Sequence, residues 1–280
     1  MNYILRRINV DVAAMSLIAA AAVGVLCEAA TRTSLGDAQN ARECRYPPLS
    51  SIVTRAHIRE LEENNVVVID NVLSPYTLRC ARARAEMLGS IMEPSPNDVD
   101  VRQDVILSIK EDDEYDHGDA MIHCMRLLRG VPHLLDRFDY ATSRRHVVPR
   151  QCQLALYRPD GGSAYVRHLD RCNSPMVEMG LLGWLRASDY RHRVVTAILY
   201  LNSPEWTGGG ELRLFDGSVD DDGDDKDGDD DGKYLDIVPS GGRLILFDSS
   251  RVEHQVLASH GEDRYALTCW FNGDLVRETE

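Results

Sequence analysis

The amino-acid sequence predicts a mainly β fold with flanking helices: a double-stranded β-helix of the jelly-roll, cupin-like kind, with N-terminal helices packed on its sheet. Three observations predict it. From Gln153 onward, apolar runs of strand length are separated by turns rich in Gly, Pro and Asp. Helical spacing is found mainly ahead of that point. At 280 residues and 44% apolar composition the chain can bury a full core, which suits one large domain preceded by a leader.

Taken in order, Arg6-Arg7 precede an uncharged, Ala-rich run from Val12 to Cys27, with small residues at Ala29-Ala30. That is the pattern of a secretory signal peptide or a signal anchor. The run is shorter than the ~20 residues a spanning helix needs, and Asp11 and Glu28 flank it; the competing reading is an Ala-rich helix or a poorly ordered leader. A secretory or membrane-anchored location follows if residues 8–30 are a signal or anchor, and a cytoplasmic one otherwise. Thr31 to Ser51, with Pro47-Pro48, reads as a linker. Thr54 to Asn64 has helical spacing through Ile58 and Leu61, and Val66 to Ile69 is a β-branched strand. Ser74 is an N-cap and Pro75 the first turn of a helix to about Leu88. Met92 to Asp100 is a loop, Arg102 to Ile109 a strand and Asp119 to Phe138 an amphipathic helix. The organisation is therefore a leader over 1–30, a linker over 31–51, a helical and strand support over 52–150, and a site-bearing domain over 151–275.

Net charge is −14, but Asp220 to Asp231 holds nine aspartates and one lysine, so −8 lies in that stretch and −6 in the rest. The chain has no basic footprint for a nucleic acid. The acidic stretch reads as a solvated insert over 218–233 between two strands. Asp227, Asp229, Asp231 and Gly232 match half a calcium loop, a match that such a composition nearly guarantees, and Val238 stands where the loop's glutamate belongs. Seven scattered cysteines, without C-x-x-C or zinc spacing, do not form a disulfide framework. Cys152 and Cys269 read as small buried hydrophobes.

Chemistry concentrates in Tyr165-Val166-Arg167-His168-Leu169-Asp170. In an extended strand His168 and Asp170 share a face. A third ligand from a distant strand would complete a two-histidine, one-carboxylate set on a metal, which suits non-haem Fe(II). His254 and His260 are the available partners; His254 begins a strand of its own, whereas His260 sits in the turn Ser-His-Gly-Glu-Asp. Arg264 opens the strand RYALTCWF, where alternation sets it on one face with Ala266, Thr268 and Trp270. An inward arginine there calls for an anion, from either a ligand or an internal salt bridge.

From Ile52 to Asn272, and most strongly from Gln153, the segments QLALYRPDGGSAYVRHLD, TAILYLN, GGELRLF, GGRLILFD and RYALTCWF resemble the Fe(II)- and 2-oxoglutarate-dependent prolyl hydroxylases. The branch resembled is that of the hypoxia-inducible-factor hydroxylases. The resemblance implies His168, Asp170 and His254 as iron ligands, His254 having the family's separation from Arg264. It implies Arg264, Tyr200 and Tyr157 on 2-oxoglutarate, and O2 and L-ascorbate as oxidant and reductant. Tyr165 and Arg167 fall where relatives line the substrate mouth, a role that needs a bulge to turn them toward His168. Arg193 and Trp270 are further pocket residues by similarity. Gln103 departs from the family's R-G-D. A proline-containing protein or peptide is the implied substrate; hydroxylation of another residue or a small molecule, and a catalytically silent binding module, are the competing readings. The insertion between Asp170 and Arg193, with an apolar run from Met176 to Leu185, reads as a lid over the site or a partner-binding segment, and equally as a small packed surface helix.

Overall fold

Strand alternation divides the interior in two. In the computed structural model, Leu154 and Leu156 of β5 (Cys152–Tyr157) join one apolar cluster, while Ala155 and Tyr157 join another. The structure describes residues 47–275 apart from 97–99, 114–117, 142–143, 161, 173–187 and 216–233.

Two antiparallel sheets carry the fold. The larger runs in the order β1 (Val66–Ile69), β10 (Leu244–Asp248), β7 (Arg193–Tyr200), β12 (Arg264–Leu275), β5, β3 (Val105–Ile109) and β2 (Glu93–Pro94), with β4 (Arg144–Val147) also paired to β12. The smaller runs β6 (Tyr165–His168), β11 (His254–Val256), β8 (Leu212–Phe215) and β9 (Tyr234–Ile237). Leu212, Leu214 and Val256 of the smaller sheet pack with Ile198, Tyr200, Ile245 and Phe247 of the larger. Two facing antiparallel sheets with this order make the double-stranded β-helix that the strand pattern predicts.

The other face of the larger sheet is covered by α1 (Arg55–Asn64), α2 (Pro75–Leu88) and α3 (Gly118–Arg137). Their apolar stripes are short and complete: Ile58 and Leu61; Leu78, Ala81 and Ala85; Met121, Met125, Leu128 and Leu135. Leu128 is fully buried, so Leu128→Ala costs roughly 2–5 kcal/mol. The expected N-cap at Ser74 is present, and Thr54 caps α1 as well. Thr54 Oγ1 accepts from the His57 amide at 3.4 Å while His57 Nδ1 accepts from the Thr54 amide at 3.3 Å. Ser74 Oγ accepts from the Thr77 amide at 3.1 Å, with Pro75 at the first helical position.

Three local expectations change, the first being that Glu93–Pro94, inside the expected loop, forms β2 on the edge of the larger sheet. A one-turn helix, Leu49–Ile52, occupies the end of the expected linker and the start of the support region. The strand expected from Arg102 begins only at Val105. Residues 101–103 leave the larger sheet and run along the edge of β6, the Val166 amide donating to the Val101 carbonyl and the Gln103 amide to the Ala164 carbonyl. Among the described residues no helix is long and apolar enough to cross a membrane. The leader, the acidic insert and most of the 171–192 insertion lie outside the described residues.

Candidate active site

Register places the first two side chains. β11 pairs with β6 so that His254 stands opposite His168, and their rings lie 4.3 Å apart between centroids. Two residues on along β11, Val256 stands opposite Tyr165, which is three residues back along β6, so β6 carries an extra residue. This is the bulge that an inward Tyr165 requires, and the Tyr165 ring stacks on His168 at 3.7 Å. Asp170 lies two residues beyond the end of β6 and not within the strand. It still reaches the histidines: its Oδ1 is 3.8 Å from His168 Nε2 and its Oδ2 3.7 Å from His254 Nε2.

The donor set fits a divalent metal. His168 Nδ1 donates to the Val166 carbonyl at 2.7 Å, and His254 Nδ1 to the Val252 carbonyl at 3.1 Å. A carbonyl can only accept, so in each neutral ring the proton sits on Nδ1 and the Nε2 lone pair faces the site. Burial, reinforced by His254, pushes His168 down to about 4, so its ring is neutral near neutral pH. Burial alone would raise the Asp170 carboxyl, but His254, His168, Arg193 and the Thr196 hydroxyl together hold it below the usual carboxylate range. Two imidazole lone pairs and one carboxylate thus converge, with one ligand atom of each within 4.8 Å of the others.

The three residues line a cavity between the sheets that also reaches Tyr157, Arg264 and Trp270. Arg264 is 1% exposed, and among the described residues no carboxylate lies within ion-pair distance of it. Its Nε donates to the Gly210 carbonyl at 2.8 Å and its Nη2 to the Tyr200 hydroxyl at 3.4 Å. Its guanidinium lies 4.8 Å from the Tyr157 ring and 5.0 Å from that of Tyr200. The Tyr200 phenol is raised by burial and drawn back by Arg264. A buried cation among neutral neighbours is expensive unless an anion joins it.

Other expected residues fall differently. Arg167 and Arg193 are not among the residues lining the cavity. Arg167 pairs with Glu253, its Nε donating at 2.7 Å, and lies over the Phe215 ring at 4.0 Å. Arg193 lies over the rings of Trp270 at 4.2 Å and Tyr190 at 4.3 Å, behind Asp170, whose backbone carbonyl accepts from its Nη1 at 3.3 Å.

Two features escaped the sequence reading. Arg102 lines the cavity, 4.8 Å from the Tyr165 ring, and is forked onto Asp104, with Nη2 to Oδ2 at 2.8 Å. Burial alone would lower its pKa, and Asp104 more than reverses that. The Arg-x-Asp spacing beside Gln103 was the available signal, but strand alternation gave no reason to bury both. Gly210 is the second. Its φ is +67°, and a Cβ there would come 2.7 Å from Arg264 Cδ. Glycine thus serves both the backbone and the close approach of Arg264.

The sequence profile of the 2OG-Fe(II) oxygenase superfamily matches residues 152–272, which hold every one of these groups except Arg102 and Asp104. Residues 152–272 carry the sequence pattern of that superfamily. The chain is a 2-oxoglutarate-dependent dioxygenase, and the family implies Fe(II), 2-oxoglutarate and O2. Among solved structures, the oxygenase is similar to a Pseudomonas putida prolyl-4-hydroxylase at 25% identity. That match covers 78% of this chain and 97% of that one, with a TM-score of 0.58. A Trichoplax adhaerens prolyl hydroxylase, solved with a peptide fragment of the hypoxia-inducible-factor oxygen degradation domain, matches at 22% identity. It covers 86% of this chain and 94% of that one, with a TM-score of 0.60. A non-heme alpha-ketoglutarate-dependent carbocyclase of nogalamycin biosynthesis matches at 15%, covering 82% and 88%, with a TM-score of 0.54. The last two are likenesses of fold.

Proposed function

We propose that this oxygenase is a peptidyl-prolyl 4-hydroxylase in which His168, Asp170 and His254 hold Fe(II). One observation carries the oxygenase site: a buried arginine without a carboxylate partner and a His-Asp-His cluster line the same cavity. The proline substrate is supported by the likeness to the Pseudomonas putida prolyl-4-hydroxylase over nearly all of that chain.

Each residue then has a physical task. The Nδ1 hydrogen bonds hold both imidazoles with Nε2 toward the metal. Arg264 offers the N–H donors left over from Gly210 and Tyr200 to the distal carboxylate of 2-oxoglutarate, a forked charge-assisted contact. The Tyr200 hydroxyl beside it donates to the same carboxylate, and Tyr157 closes the space over the guanidinium. When bound, Fe(II) with O2 and 2-oxoglutarate supplies the oxidising power, converting a C–H to C–OH with release of succinate and CO2. Tyr165 and Trp270 wall the cavity where a substrate would enter, and L-ascorbate would serve as reductant.

The test is hydroxylation of proline-containing peptides by protein loaded with Fe(II), 2-oxoglutarate and ascorbate, read as a gain of one oxygen and assigned to C4 by amino-acid analysis. Hydroxyproline formation that is lost in His168→Ala supports the proposal. Succinate production that no proline peptide stimulates, but a small molecule does, would transfer the activity to a small-molecule substrate.

A further inference from the structure

Asp170 is the one member of the triad without a strand to hold it. β6 ends at His168, and the chain bends at 170 and 171 before leaving the described residues after 172. Its carboxylate is instead held from the larger sheet. Thr196, on β7 and 1% exposed, bonds Asp170 Oδ2 through Oγ1 at 2.7 Å. The same Oγ1 is 2.8 Å from the hydroxyl of Ser249, which is fully buried at the end of β10.

Proton counting fixes the direction of this chain. An ionised carboxylate only accepts, so the single Thr196 proton goes to Asp170. Ser249 must therefore donate to Thr196. Ser249 also grips the backbone, its carbonyl accepting from the Arg171 amide at 2.9 Å and its own amide donating to the Val194 carbonyl at 3.0 Å. A β-branched threonine in a strand has a restricted χ1, so Oγ1 is presented at a fixed place. Register puts Thr196 opposite Trp270 across β7 and β12, on the side of the sheet that faces the cavity.

We infer that Thr196 and Ser249 are positioning residues: a two-hydroxyl relay that orients the Asp170 carboxylate toward the two histidines and holds one of its oxygens, so that it enters the metal site in a single pose. The inference rests on the His168, Asp170 and His254 metal site. It predicts a specific asymmetry. Thr196→Val keeps shape but removes the donor, and Thr196→Ser keeps the donor but removes the methyl.

The experiment titrates purified metal-free full-length protein with Co(II) under anaerobic conditions, following the Co(II) absorption bands, and records thermal melting of each variant alongside. Removal of an outer-shell partner costs ~10–100-fold in metal affinity. Thr196→Val is expected to lose about that much, Thr196→Ser to stay within about threefold of wild type, and Ser249→Ala to fall between them. A Thr196→Val protein that melts cooperatively and binds Co(II) as wild type does would overturn the inference, as would a Thr196→Ser loss equal to that of Thr196→Val. If wild type binds Co(II), and Asp170→Ala abolishes binding while Thr196→Val does not weaken it, the relay alone is wrong. If wild type itself does not bind Co(II), the metal site is wrong and the relay falls with it.

Discussion

Replacing Arg264 with methionine should separate ligand binding from folding. Arg264 is buried, has no carboxylate within ion-pair distance among the described residues, and gives two of its five N–H groups away, one to the Gly210 carbonyl and one to the Tyr200 hydroxyl. Two of the remaining donors suffice for a forked contact with the distal carboxylate of 2-oxoglutarate. Hydrogen bonds to charged groups are worth about 1.5–3 kcal/mol each, so two at the lower limit amount to about 3 kcal/mol. That corresponds to roughly a hundredfold rise in KM for 2-oxoglutarate. The contact lies away from the reacting keto acid, so kcat at saturating cosubstrate should change much less than KM. Stability should move the other way. Burying an unpaired charge costs several kcal/mol, which outweighs the lost bonds to Gly210 and Tyr200 at about 1 kcal/mol each. Cosubstrate-free Arg264→Met should therefore melt at or slightly above the wild-type temperature. Steady-state succinate release against 2-oxoglutarate concentration, together with a melting curve, reads both quantities. An unchanged KM would refute the assignment. A melting temperature lower by more than about 5 °C would mean that Arg264 is held by protein groups after all. Arg264→Lys should not rescue binding, because an ammonium lacks the planar fork.

Gly210→Ala should also raise KM for 2-oxoglutarate, since a Cβ at φ +67° would press on Arg264 Cδ from 2.7 Å; the left-handed backbone alone costs about 1–2 kcal/mol, readable by melting. Acid should destabilise the metal-free protein through His168, whose folded-state value of about 4 lies below the ordinary 6.5. Between those values the unfolded chain binds more protons, so stability rises with pH and the His168 contribution is lost on acidification from 6.5 to 4. This amounts to about 3 kcal/mol in all, and His168→Gln should flatten that part of a pH–melting profile. Iodoacetamide should label Cys80 and Cys172, which are partly accessible, well before Cys124, Cys152 and Cys269, which are buried; burial also raises the thiols of Cys124 and Cys269. Peptide mapping by mass spectrometry gives the order, and early labelling of Cys269 would contradict the packing of β12.

What the sequence made legible was whatever a local period or a short motif could carry. Ser74-Pro75 announced a helix start, because capping is a matter of three or four residues. The strand patterns announced the sheets, and the apolar face of RYALTCWF placed Arg264 inward beside Thr268 and Trp270. His254 was separable from His260 because one begins a strand and the other a turn, and the structure sets His254 directly opposite His168. The illegible parts depend on chain crossings. Alternation cannot say that residues 101–103 leave one sheet to edge the other, so the buried Arg102–Asp104 pair was missed. Nor can it show that Asp170 is held by hydroxyls 26 and 79 positions away. Arg167 and Arg193 were drawn toward the cavity by similarity, yet their partners, Glu253 and the rings of Tyr190 and Trp270, lie outside any local pattern.

The central claim is tested most directly by anaerobic protein loaded with Fe(II) and 2-oxoglutarate, with oxygen then admitted and succinate measured. Wild type should form succinate only when iron, 2-oxoglutarate and oxygen are all present, and His254→Ala should form at least about a hundredfold less. No wild-type succinate and no iron-dependent absorption band, or a His254→Ala protein that turns over as fast as wild type, would contradict the account.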